Sequence, residues 1–196
     1  MKTLLQATAA LLLVLTAASA AHADTDTDTD KAVQKTIKSL IGAIRYSKDD
    51  VAAQQVAFGP MAKALMADDW AKLSSAEQTE LTRGIEKLIR TISFPKGRDL
   101  FKYLDAMLYD TARVEGDKAR AKSTVVIHRD LKKTEVVIEW VLIKDGGGWK
   151  VLDTVMMGES TLDGLREDQM KPLLAKGGTQ AVLAAVRERV AEVEKK

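Results

Sequence analysis

The sequence predicts an α+β domain in which helices come before and after one antiparallel sheet of about four strands. Three observations predict it. Apolar residues recur at helical spacing from about Lys31 to Leu108. The period then changes to strand-like alternation through Met157, in adjacent segments joined by short turns, which favours an antiparallel meander. After Gly158 the helical period returns.

Taken in order, residues 1–23 read as a secretory signal peptide. Lys2 supplies a positive start, Leu4 to Leu15 is mostly Leu, Ala and Val, and Ala21-His22-Ala23 gives an A-x-A cleavage site. Export with cleavage near Ala23 is expected. Residues 24–30, "DTDTDTD", read as an acidic disordered leader. Their D-x-D-x-D spacing fails as a calcium loop because Thr29 stands at the glycine position and Lys35 at the glutamate position.

Residues 31–196 read as one domain. Val33, Ile37, Leu40, Ile41 and Ile44 form an apolar helical stripe. A second helical region, Val51 to Met66, is expected to break at Gly59-Pro60. Ser74 with Glu77, or Ser75 with Gln78, fits a capping box for a helix carrying Leu81, Ile85, Leu88, Ile89 and Ile92. Pro95 to Gly97 is expected to end it, with a short helix from Arg98 to Leu108. A turn at Gly116-Asp117 precedes alternation through Ala119, Ala121, Ser123, Val125 and Ile127. "KTEVVIEWVLIK", a turn at Gly146 to Gly148 and "WKVLDTVMM" follow, then helices over Leu165 to Lys176 and Gln180 to Lys196.

Composition removes several function classes. The chain has no cysteine, a formal net charge of +2 and 5% aromatic residues. Thiol chemistry is absent, and nucleic acid is not an expected partner. Ser160 in "GESTL" lacks the second glycine of a nucleophile elbow, and His128 is the one histidine after Ala23. One histidine and no cysteine do not make a metal site. No catalytic residue, metal or cofactor is expected. What remains is apolar character on both faces of the central strand: Val136, Ile138, Trp140 and Leu142 on one, Val137, Glu139, Val141 and Ile143 on the other. Met61, Met66, Met156 and Met157 add adaptable apolar surface.

The run "WKVLDTVMMGESTLDGLREDQM" resembles the signature of the MlaC family of periplasmic phospholipid shuttles. That family shows W-K-V-Y-D-V, then G-V-S-L, then N-Y-R. Trp149, Lys150, Val151, Asp153, Gly158, Ser160 and Arg166 match in order. "DDWAKLSSAEQTELTRGIEKLI" and "KGGTQAVLAAVRERV" are similar to the family's central and closing helices. Leu152, Glu159, Thr161 and Gly164-Leu165 depart from the pattern, as in a divergent homologue.

The resemblance implies a nuclear-transport-factor-like fold whose curved sheet and helices enclose an apolar cavity for the acyl chains of a phospholipid cargo. It implies a periplasmic monomer that exchanges lipid with an inner-membrane ABC transporter complex and an outer-membrane lipoprotein complex. On this reading Trp140, Leu142, Val151, Val155 and Met157 line the cavity from the sheet, and Ile37, Ile41, Leu88 and Ile92 from the helices. Two alternatives stay open. One is a protein-docking module of an envelope transport system; the other is a small isomerase-like enzyme using Asp153 and His128.

Overall fold

A computed structural model describes the backbone of residues 18–195 and the side chains of residues 27–195. Most of the expected signal peptide lies outside the described residues. Helix α1 (Ala18–Arg45) buries the stripe that spacing predicts: Val33, Ile37, Leu40, Ile41 and Ile44. The acidic tract 24–30, expected as a disordered leader, is helical instead. Its last carboxylate is anchored: Asp30 accepts the Ala112 N–H (2.8 Å) and the Gln34 side-chain amide (3.0 Å).

Helices α2 (Asp49–Gln54) and α3 (Phe58–Met66) follow. The break between them falls at residues 55–57, not at Gly59-Pro60. There the chain pairs with residue 151 in a short parallel bridge: the Val151 N–H donates to the Gln55 carbonyl (2.8 Å), and the Ala57 N–H donates to the Val151 carbonyl (2.9 Å). Gly59 and Pro60 sit in the first turn of α3, where a missing N–H costs nothing. A 3₁₀ segment (Ala67–Lys72) leads to α4 (Ser75–Leu88), which starts with the predicted capping box. Ser74 Oγ accepts the Glu77 N–H (3.3 Å), and the Glu77 carboxylate accepts the Ser74 N–H (2.8 Å).

The expected stop at Pro95 is absent. A π-turn (Ile89–Ser93) joins α4 to α5 (Phe94–Phe101), so Pro95 falls near the start of a new helix, where it is tolerated. The predicted helix to Leu108 ends at Phe101, and its second half is strand β1 (Leu104–Tyr109).

The sheet has six strands where about four were expected. They are β1, β2 (Arg113–Glu115), β3 (Lys118–Arg129), β4 (Lys132–Asp145), β5 (Gly148–Met156) and β6 (Glu159–Ser160). Their order is β1-β3-β4-β5-β6, all antiparallel, with β2 pairing on β3 beyond the end of β1. The short strands β2 and β6, together with β1, hold the edges of the long β3–β4–β5 meander. Bulges at Asp105 and Leu152 interrupt the ladders and bend the strands.

After β6 come α6 (Thr161–Leu165), a second π-turn (Arg166–Met170) and α7 (Lys171–Glu194). Helix α7 is kinked at Gly177-Gly178, where the sequence predicts a gap between helices. Helices α1, α3 and α6 pack on the sheet, chiefly on β5, and α4 packs against α3 and α7. The other face of the sheet is largely open: Lys118, Arg120, Lys122 and Val137 are exposed.

Candidate functional site

The inner face of the sheet follows the alternation of β3 and β4. Ala119, Ala121, Ser123, Val125 and Ile127 are buried on β3, as are Ile138, Trp140 and Leu142 on β4. Across-strand neighbours share a face, so Val151, opposite Leu142, joins them. Ile37 and Ile41 of α1 complete the same apolar cluster. Five of the nine residues expected to line a cavity therefore meet in one place: Ile37, Ile41, Trp140, Leu142 and Val151.

The other four do not. Leu88 is half-buried and packs at the margin of the cluster, and Ile92 is half-buried in the first π-turn. Val155 was expected on the face of Val151, but the bulge at Leu152 changes the phase of β5. Beyond it, Thr154 stands opposite Trp140 and Val155 opposite Glu139, so Val155 belongs to the outer face. Met157 lies at the β5–β6 turn with its side chain fully exposed and cannot line an interior.

The sequence leaves open whether the implied cavity stands open without lipid; in the structure the walls touch. Ile37 and Leu142 have no accessible surface, and Ile41, Trp140 and Val151 have 2–4%. Side chains bordering a solvent-sized void would retain more. The surface clefts lie elsewhere. One of about 230 Å³ runs between α4 and α7 over Leu81, Gly84, Leu183 and Val186. Another of about 540 Å³ lies between α1 and the β4–β5 hairpin, among Lys35, Lys144 and Lys150.

Few polar side chains are buried, and they are engaged. The Trp140 indole N–H donates to Ser123 Oγ (2.8 Å), and the Thr36 hydroxyl donates to the Trp149 carbonyl (3.2 Å), tying α1 to β5. Asp153, 9% exposed, accepts three hydrogen bonds: from the Thr154 N–H (2.7 Å), the Leu162 N–H (3.0 Å) and the Ser160 hydroxyl (2.6 Å). Ser160 Oγ in turn caps α6 by accepting the Asp163 N–H (3.0 Å). Among the described residues no buried side-chain nitrogen or oxygen lacks a partner.

Ser160 is thus a helix-start residue that caps α6. Asp153 and His128 do not form a pair. His128 is exposed and opposite Lys133, whereas Asp153 is opposite Val141, eight residues along β4. At ~3.3 Å per residue they are ~26 Å apart along the sheet. Among the described residues no group of three His, Asp or Glu side chains is placed to hold a metal ion, and no helix is long and apolar enough to cross a membrane.

Sequence reasoning missed Tyr109, because β1 was read as helix. Its ring points to the inner margin of the sheet, with the Lys38 ammonium 4.7 Å from the ring centre and the hydroxyl donating to Met107 Sδ (3.4 Å). Burial pushes its hydroxyl up to about 12 from 10.0. The neutral phenol is favoured in the folded chain, so this group's stabilisation is complete below pH 10.0 and is lost as pH rises to about 12. A difference titration against Tyr109→Phe should show ionisation of Tyr109 near pH 12; an ordinary tyrosine curve would contradict its burial.

The family model for MlaC protein matches residues 24–188. The chain belongs to that family. A phospholipid-binding protein from Ralstonia solanacearum, solved in complex with a phospholipid, has the same fold: the TM-score is 0.66 at 16% identity, over 84% of this chain and 98% of that one. A Mycobacterium tuberculosis protein of unknown function aligns more loosely, with a TM-score of 0.35 at 13% identity, over 87% of this chain and 92% of that one. No curated protein matches the sequence at a significant level.

Family membership gives the signature residues a physical role. Asp153, Gly158 and Ser160 form the corner between β5 and α6: Gly158 takes φ +85° in the turn, and the carboxylate and hydroxyl cap the helix start. Trp149 and Val151 anchor β5 to α1 and to residues 55–57. The signature fixes a wall of the interior.

Proposed function

We propose that the mature chain is a periplasmic phospholipid carrier, exported through a signal peptide cleaved near Ala23. It holds acyl chains between α1 and the inner face of β3–β5. It passes lipid between an inner-membrane ABC transporter complex and an outer-membrane lipoprotein complex, and so maintains outer-membrane lipid asymmetry. Membership of the MlaC family carries this reading, and the fold shared with a phospholipid-binding protein supports it. The interior adds chemical support: it is apolar, and its few buried polar side chains all have hydrogen-bond partners among the described residues.

Two acyl chains of about 30 methylenes, at ~0.8 kcal/mol each, cost on the order of 20 kcal/mol to expose to water. A carrier must therefore provide dry walls and needs no catalyst. Here the walls must part to admit the chains. Half-buried apolar residues such as Leu88, Met107 and Val136 border the cluster.

The test is native mass spectrometry of the exported protein, followed by organic extraction and lipid identification. A mass excess equal to one phospholipid is expected. Leu142→Trp, which adds bulk where the walls must part, should reduce occupancy by about fivefold or more with the circular dichroism spectrum retained. Val155→Trp, on the outer face, should leave occupancy unchanged. Equal occupancy in all three proteins would remove the interior between α1 and β4 as the binding site. The closed interior favours one second reading, a protein-docking module of an envelope transport system. A mass without lipid, unchanged after incubation with vesicles, would select it.

A further inference from the structure

Three hairpins of the sheet close through two-residue turns in which both central residues have left-handed φ. They are Asp130-Leu131 (50°, 62°), Gly146-Gly147 (61°, 84°) and Met157-Gly158 (54°, 85°). Such turns favour Asn-Gly, Asp-Gly or Gly-Gly, because side chains other than those of Asn and Asp fit the left-handed region poorly. The Gly146-Gly147 turn, at one end of the sheet, follows that preference. At the opposite end the chain places a leucine and a methionine in this conformation.

Neither side chain stabilises the fold. Leu131 is 97% exposed and Met157 is 100% exposed. Each residue is unfavourable twice over, in its backbone conformation and in its contact with water. Residues held in such a state cluster at functional sites. A second apolar patch lies farther along the open face of the sheet, beyond the exposed Lys133 and Glu135. Leu108 and Val137, 60% and 56% exposed, both pair across from Thr124 on β3 and so lie in one row.

Charge selects the partner. Arg129, Lys132 and Lys133 surround Leu131 against the single carboxylate of Asp130 within the hairpin tip. Asp130 pairs with Arg129 (3.2 Å), and Lys133 reaches back to Glu135 (2.9 Å). The Met157 turn has Glu159 beside it and no cation, which makes Leu131 the leading point. One narrow apolar tip ringed by cations fits the interface of a bilayer, where a single leucine reaches the acyl region while lysine and arginine stay among phosphates. A protein partner of ordinary affinity needs a broader apolar core.

We propose that the β3–β4 hairpin tip is a membrane-docking element: Leu131 inserts into an anionic bilayer surface, and Arg129, Lys132 and Lys133 meet its headgroups. Its purpose rests on the carrier reading, since it brings the carrier to a lipid surface. Its observations are separate from the interior.

The test is co-sedimentation of the full mature chain with phosphatidylethanolamine vesicles, with and without phosphatidylglycerol. The wild-type chain should pellet with the phosphatidylglycerol vesicles. Leu131→Gly should weaken partitioning by about tenfold or more, the loss of one buried leucine. Glycine suits φ > 0 and relieves the turn, so its melting temperature should be unchanged or higher, and unfolding cannot explain the loss. The double variant Lys132→Glu, Lys133→Glu should lose the response to phosphatidylglycerol. Lipid occupancy of Leu131→Gly by native mass spectrometry should match wild type. If occupancy is nil in both proteins while vesicle binding still depends on Leu131, the carrier reading fails and the docking element stands. Equal vesicle binding by Leu131→Gly and wild type overturns the proposal. So does a tip required for a purified transporter protein but silent toward vesicles.

Discussion

Asp153→Ala is expected to cost about 3 kcal/mol of folding free energy, a fall in melting temperature of ~6–12 °C for a chain of this size. The carboxylate is nearly buried and accepts the Thr154 N–H, the Leu162 N–H and the Ser160 hydroxyl. Hydrogen bonds to a charged acceptor are the strong class, and alanine leaves two backbone donors and a hydroxyl without their partner. The loss is local first, so amide exchange in α6 should accelerate more than in β3. Asp153→Asn keeps the shape and one acceptor oxygen, and should cost less than half as much. Thermal melts by circular dichroism decide it. A shift within a degree or two of wild type would mean that the corner is held by other contacts.

Gly84→Ala should also destabilise the chain, against the usual trend for a helix interior. In an ordinary helix this exchange gains about 1 kcal/mol. Here a Cβ on residue 84 falls 2.4 Å from Val186 Cγ1 on α7. A helical valine is nearly fixed at χ1 and cannot swing its methyl away, so α4 and α7 must separate. A net cost of about 2 kcal/mol is expected from this overpacking. Val186→Ala introduced together with Gly84→Ala should recover much of the loss, and the double-mutant cycle should show coupling between the two sites. A stabilised Gly84→Ala protein would contradict the close approach of these helices.

Local chemistry made part of this fold legible. The α1 stripe, the capping box at Ser74 and Glu77, the alternation of β3 and β4 and the glycine turn at Gly146-Gly147 each depend on residues within one element or one turn. The strand expected as helix, β1, shows the limit. "LDAMLY" has no strong preference of its own, and pairing with β3 decides its state. The same holds at residues 55–57, where bonds to Val151 set the helix break rather than the nearby glycine and proline.

For the candidate site, the sequence determined the inner residues Ile37, Ile41, Trp140, Leu142 and Val151, because burial imposes a period that runs unbroken up to each of them. Family resemblance added the purpose of that interior. Only the tertiary structure decided that Val155 turns outward, that Met157 stands in solvent and that the walls meet. A single extra residue at Leu152 reverses the phase of everything after it. Whether a strand carries such a bulge depends on the hydrogen bonds of its neighbours, which no period within the strand records.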